Sequence, residues 1–180
     1  AGVKLHFVVQ PSYGKYGTAI PVALVADQIP DGESVVVLMG DDFIYTDDGG
    51  SETARLIAAA GENSAMLGVE VPKEAVSRYG VIETDATNHF VQIVEKPTPE
   101  DAPSNLINVS KYVLNSGAIA SIRAYAATDR TDEYYITDPI NDYVAAGGIV
   151  SVVPAKGQYL DGGSVEGWLH ANNVVVGSSK

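Results

Sequence analysis

A chain of 180 residues with 46% apolar residues has room for one sizeable core, and its formal charge of −12 argues against nucleic acid, whose phosphates need lysine and arginine. The absence of cysteine excludes disulfides and thiolate metal sites. The same negative field repels phosphorylated ligands, so any such ligand must be met by a local cation.

Residues 4–9 (KLHFVV) read as a strand. It runs into Gln10-Pro11-Ser12-Tyr13-Gly14-Lys15-Tyr16-Gly17-Thr18-Ala19, a loop rich in Gly, Pro and Ser. A helix follows to about Gln28, with Pro21 tolerated in its first turn. After the turn Asp31-Gly32 comes Val35-Val36-Val37-Leu38-Met39, an unbroken apolar run rich in β-branched residues. It predicts a strand buried on both faces, as in a parallel sheet. The run stops at Gly40 and sets Asp41 and Asp42 just past the strand's C-terminal end. Residues 47–50 form a second acidic turn facing solvent. Ser51 caps a helix over Glu52–Ala60 that ends at Gly61.

Residues 65–71 predict another strand. Gly80–Thr84 and Phe90–Glu95 predict two more, joined by the polar turn 85–89 and stopped by Lys96-Pro97. A proline-rich loop leads to a strand over 107–114. Helices follow over 118–127 and 139–146, the second with Asp138 as N-cap, Pro139 at its first position and Gly147 beyond its end. Residues 149–154 and Tyr159-Leu160 are strands; after Asp161-Gly162-Gly163, Ser164 caps a last helix over 165–176. Strands alternating with helices, then a more antiparallel run, give an α/β layered domain with a mixed sheet.

His6, His89 and His170 have no spacing that builds a zinc site. No phosphate-cradling P-loop or nucleophile elbow occurs, and Trp168 is most simply a core residue. Four spots remain. Asp41 stands where open α/β sheets bind ligands, and an acidic pair there could hold a divalent cation through oxygen; a turn is the plainer explanation. Glu95-Lys96 places opposite charges on adjacent residues at a strand end, or is a surface edge stop. Asp161 precedes two glycines that permit close approach to a ligand, or is a turn residue. Gln10 carries a donor and an acceptor side by side and can pair with a nucleobase edge, or caps a strand.

Together these spots resemble the bacterial UTP–glucose-1-phosphate uridylyltransferases, within the sugar-phosphate nucleotidyltransferases. The matching segments, in the family's order, are residues 10–19, Gly40-Asp41-Asp42, Tyr79-Gly80-Val81-Ile82-Glu83, Val94-Glu95-Lys96-Pro97, Ala102-Pro103-Ser104-Asn105-Leu106, Asp132-Glu133 with Ile136-Thr137-Asp138, and Leu160-Asp161-Gly162-Gly163. The resemblance implies a Rossmann-like layered fold with a mixed, mainly parallel sheet, and a partial nucleotidyltransferase domain over residues 1–180. It implies transfer of a uridylyl group from UTP to glucose 1-phosphate, giving UDP-glucose and pyrophosphate. Asp41 and Asp161 would converge on Mg²⁺, Gln10 and the backbone at Gly17 would hold the pyrimidine, Gly80 and Glu95 the sugar hydroxyls, and Lys96 the sugar phosphate. Val109 would pack against the sugar. Lys96, Asp41 and Asp161 would thus carry the chemistry.

Ser110 and Tyr135 stand where the family usually has Gly and Gln, and Pro11 where it has a flexible residue. The family's N-terminal glycine-rich loop and basic residues are not among these 180 residues, so little or no activity is expected from them alone. The strands that would separate residues 4–9 from residues 35–39 are missing too, so those edges should meet each other or exchange between chains, giving a homo-oligomer. The alternatives are a non-catalytic sugar-nucleotide-binding or assembly module, or a transferase for another base or sugar. With no signal peptide or membrane-length apolar run, a cytoplasmic protein without membrane or nucleic-acid partners is expected.

Overall fold

A computed structural model describes residues 2–177. Its strands are β1 (Val35–Leu38), β2 (Asp42–Tyr45), β3 (Ser64–Glu70), β4 (Gly80–Thr84), β5 (Phe90–Glu95), β6 (Leu106–Leu114), β7 (Val150–Pro154) and β8 (Gln158–Asp161). The main sheet runs β5-β4-β6-β3-β7 with β1 added against β6, while β2 and β8 form a separate two-stranded ribbon. The helices are α1 (Ala19–Val25), α2 (Glu52–Ala60), α3 (Ser116–Ala127), α4 (Thr137–Ala145) and α5 (Val165–Gly177).

Alternation along the strands sorts the core into two layers. Met66, Tyr112, Leu114 and Ile82 face Ile20 and Val22 of α1, Ile119 and Ile122 of α3, and Ile140 of α4. Their neighbours Ala65, Leu67, Val81, Val109 and Val113 face Leu56 and Ala60 of α2. A period of two on the strands, with helices covering both faces, is the mixed α/β architecture expected. The pairing balance is antiparallel: β6 lies antiparallel to β1, β3 and β4, and β3–β7 is the parallel pair among the described residues.

β6 positions everything else. β3 covers one side of it from Leu106 to Val113, so β1 and β4 must share the other side. β1 pairs with the C-terminal half, Leu38 opposite Lys111, and β4 meets the N-terminal half, Val81 opposite Ile107. The end of β1 and the start of β4 therefore point at each other across residues 108–110, about 10 Å at the rise of a strand. At the same place the register against β3 jumps from Met66–Tyr112 to Gly68–Asn108, leaving a bulge in β6. Ser110 sits in that bulge at φ +53°, a left-handed conformation that glycine adopts without cost, at the position where the resemblance leads one to expect glycine.

Four expectations are corrected. Residues 4–9 are not a strand: no ladder stands beside them among the described residues to take their backbone groups, and Leu5 and Phe7 are 72% and 89% exposed. β1 is not buried on both faces; its three valines are half-buried and Leu38 is exposed, because β6 is its sole strand partner among the described residues. Among the described residues the two flanking segments therefore do not pair with each other. Asp138 does not cap α4, which begins one residue earlier; its carboxylate accepts instead from the Tyr125 hydroxyl at 2.5 Å. Trp168 is exposed rather than core, on a helix of which Ala171 alone is buried among the described residues. By contrast Ser51 and Ser164 make their expected caps, accepting from Ala54 N at 3.2 Å and Gly167 N at 3.0 Å.

Candidate active site

One lip of the opening beside β6 is acidic. The chain leaves β1 at Gly40 and enters β2, whose Asp42 pairs with Asp161 of β8. Gly162 N–H donates to the Asp41 carbonyl at 2.7 Å, which locks the backbones of the two turns together. Both carboxylates open over Gly163: a Cβ there would lie 3.2 Å from Asp161 Oδ1 and 3.7 Å from Asp41 Oδ2. Glycine at 163 thus leaves free the space into which both acids point, and its own N–H donates to Asp161 Oδ1 at 2.9 Å. Two carboxylates on one side of a cleft could hold a hard divalent cation that takes few protein oxygens and completes its shell with water and phosphate.

Asp42 is turned the other way. Its Oδ1 accepts from the Lys111 ammonium and its Oδ2 from the Tyr159 hydroxyl at 3.1 Å. Burial pushes the Asp42 carboxyl above its usual range, with Lys111 and Tyr159 pulling it back and Asp41 adding a small upward push. Lys111 also donates to the carbonyls of Met39 and Val109, both at 3.3 Å, so all three ammonium protons are spent. Sequence reasoning missed this lysine and Tyr159. The available signal was a lysine inside the apolar strand run 106–114, since a cation in an inner strand needs a buried partner.

The facing lip is the β4–β5 hairpin. Gly80 pairs with Glu95, and a Cβ on Gly80 would sit 2.9 Å from Glu95 Oε1, so glycine makes room for the carboxylate to lie across β4. Lys96 leaves the strand at φ +46° with its N–H on the Tyr79 carbonyl at 3.0 Å, which turns its exposed side chain away from the ladder. Partial burial raises the Glu95 carboxyl, Lys96 opposing and Asp138 assisting. Beneath both lips lies Tyr112, fully buried, its phenol pushed up to about 12 by burial. Asn108 Nδ2 donates to that phenol oxygen at 2.8 Å, and the charges of Glu95 and Asp42 both reach it. Val109 is in the core on the α2 side, 2% exposed.

The loop after Gln10 is fixed at its far end. Tyr134 N–H donates to the Tyr16 carbonyl, Ala19 N–H to the Tyr134 carbonyl and Ile136 N–H to Thr18 Oγ1, each at 2.9 Å. Gly17, at φ +117°, is held so close that a Cβ would meet Tyr134 O at 2.5 Å and its N at 2.6 Å. The stitching runs on into α4, whose Asp138 adds to the raised Glu95 carboxyl. Gln10 is half-buried at the end of the unpaired segment, outside the stitched part.

Two aspartates converge at strand ends of a mixed α/β layer, with a Glu-Lys pair on the hairpin across β6. Residues 1–176 match the family model described as Nucleotidyl transferase, and the chain belongs to that family. It is 30% identical over 147 residues to a UTP–glucose-1-phosphate uridylyltransferase of Pseudomonas aeruginosa, covering 78% of this chain and 52% of that protein. It is 26% identical, with TM-score 0.82, to the crystal structure of an apo UDP-glucose pyrophosphorylase, over 93% of this chain and 63% of that one. A UDP-glucose pyrophosphorylase complexed with UDP-glucose matches at TM-score 0.76 and 27% identity, over 91% and 63% of the two chains. The chain spans about half the length of the curated relatives it matches. Among the described residues no helix is long and apolar enough to cross a membrane.

Proposed function

We propose that this chain carries the divalent-cation and sugar-phosphate half of a UTP–glucose-1-phosphate uridylyltransferase site. The observation that supports this reading is the facing arrangement of Asp41 and Asp161 on one lip and Gly80, Glu95 and Lys96 on the other. Lys96 neutralises the phosphate of glucose 1-phosphate, so that the nucleophile can approach a second anion. Glu95 accepts hydrogen bonds from sugar hydroxyls, with Gly80 leaving room for that carboxylate across β4 and Val109 supporting the sheet from its α2 side. Gln10 and the Gly17 backbone read the pyrimidine. A phosphate oxygen then attacks the α-phosphorus of UTP in line, and the bond to the bridging oxygen breaks with its electrons leaving on pyrophosphate. Asp41 and Asp161 would hold Mg²⁺, which when bound supplies positive charge to the α-phosphate. The relatives favour this transferase over a binding-only module.

The 180 residues hold no glycine-rich loop followed by basic residues, so we expect negligible pyrophosphate release from UTP and glucose 1-phosphate by this chain alone. Titration with UDP-glucose and Mg²⁺ separates a remnant site from a purely structural one: heat that disappears in Asp41→Asn and Asp161→Asn supports the former, and no heat at all the latter. In a full-length family enzyme carrying these residues, Lys96→Ala should cut kcat/KM for glucose 1-phosphate by at least 100-fold (roughly 3 kcal/mol, the size of a charge-assisted hydrogen bond in a desolvated site). Unchanged kinetics would remove its role. The free edge of β1 and the unpaired residues 3–9 make strand exchange between two copies our reading of the assembly; a monomer by light scattering rejects it.

A further inference from the structure

We infer that Lys111 is a positioning residue for the Asp41–Asp161 pair: through Met39, Asp42 and Tyr159 it fixes where the Asp41 turn sits relative to Asp161 on the ribbon. The inference rests on reading Asp41 and Asp161 as a divalent-cation pair. The ribbon β2–β8 shares no ladder with the main sheet. Beside the packing of Ile44 and Tyr159 on the α2-side core, a buried ammonium bridges them at the acidic lip. Lys111 comes from the bulged strand β6, and its Nζ reaches the Met39 carbonyl at the end of β1, the Val109 carbonyl on β6 and the Asp42 carboxylate at the start of β2. Tyr159 of β8 closes the ring by donating to the other Asp42 oxygen at 3.1 Å. The ion pair is nearly dry, with side-chain exposures of 9% for Lys111 and 10% for Asp42.

The arrangement also divides labour between adjacent acids. Asp42 has both oxygens engaged on the inner side, so Asp41 alone of the two faces Asp161 over Gly163. Asp41 lies in the link between Met39 and Asp42, both held by Lys111, while Asp161 stands on β8 opposite Asp42, so loosening that hold moves Asp41 relative to Asp161. Two carboxylates grip a small octahedral cation only at a narrow separation, because Mg²⁺ and Mn²⁺ demand short, near-ideal ligand distances.

Charge and position make opposite predictions. By Coulomb's law, removing the Lys111 ammonium and leaving the Asp42 carboxylate makes the lip more negative and should tighten a cation. If Lys111 acts by placement, its removal weakens the cation instead. The test is a titration of ¹⁵N-labelled protein with MnCl₂ alone, reading paramagnetic broadening of the Gly162 and Gly163 amides, with circular dichroism melts confirming the fold. We expect Asp41→Asn and Asp161→Asn to abolish the broadening. Lys111→Met should raise the Mn²⁺ concentration needed at least 10-fold. Tyr159→Phe, which removes one hydroxyl and no charge, should raise it about threefold and carries the test if Lys111→Met fails to fold. Unchanged or tighter Mn²⁺ binding in folded Lys111 or Tyr159 variants, with the aspartate variants silent, overturns the positioning role. Broadening that survives in Asp41→Asn and Asp161→Asn overturns the cation-pair reading itself.

Discussion

The acidic lip and the segment leading to Gln10 are built in opposite ways. At the acidic lip, β1, β2, β6 and β8 meet around Lys111, whose ammonium and whose partner Asp42 are bonded wholly within the protein. Residues 2–9 have apolar side chains turned to solvent and no ladder beside them among the described residues, and the chain is caught at Lys15, whose ammonium caps the end of α3 through the carbonyls of Ala126 and Thr128 at 2.8 and 2.6 Å. Both regions carry residues suited to a ligand. Only one has its backbone held, and a side chain is as well placed as the backbone beneath it.

Four changes probe that contrast. The largest effect belongs to Lys111→Met, which strands the Asp42 carboxylate in a dry site and should cost about 3–5 kcal/mol in urea unfolding. Gly17→Ala should cost about 3 kcal/mol, because it adds a clash with the Tyr134 backbone to a left-handed φ. A smaller loss appears in alkali. The Tyr112 phenol titrates near 10.0 when unfolded and at about 12 when folded, so below pH 10 both states keep the proton and nothing is lost. As pH climbs from 10 to 12 only the unfolded chain releases it, removing about 2–3 kcal/mol of stability. Tyr112→Phe should lessen the fall over that range, the raised Tyr125 and Tyr159 phenols keeping the rest. Deleting residues 1–9 should shift the unfolding free energy of the monomer by less than about 0.5 kcal/mol, since those side chains bury little. A large loss there would mean that the two regions are equally well anchored.

What the sequence revealed follows the same division. Elements fixed by local signals stand where expected: α2 behind Ser51, the β4–β5 hairpin around its polar turn, and α5 behind Ser164. Asp41, Asp161, Glu95 and Lys96 could be singled out because they stand at or just past strand ends. Residues 4–9 misled because β-branched alternation reports what a strand would look like and not whether a neighbour exists to pair with it. β2 was overlooked because it is short and opens on a carboxylate, and Lys111 because its partner is remote in sequence. Trp168 misled as well, since an apolar helix face is core only where something covers it.

The bulge in β6 has a mechanical consequence. The two lips are joined along one side by three residues of a single strand, and Ser110 among them holds a dihedral that its side chain disfavours. The gauge of the mouth along that side is therefore written in main-chain torsions, with Lys111 setting how the acidic jaw rests on them. Glycine at 110 would loosen that gauge while leaving the chemistry of both jaws untouched.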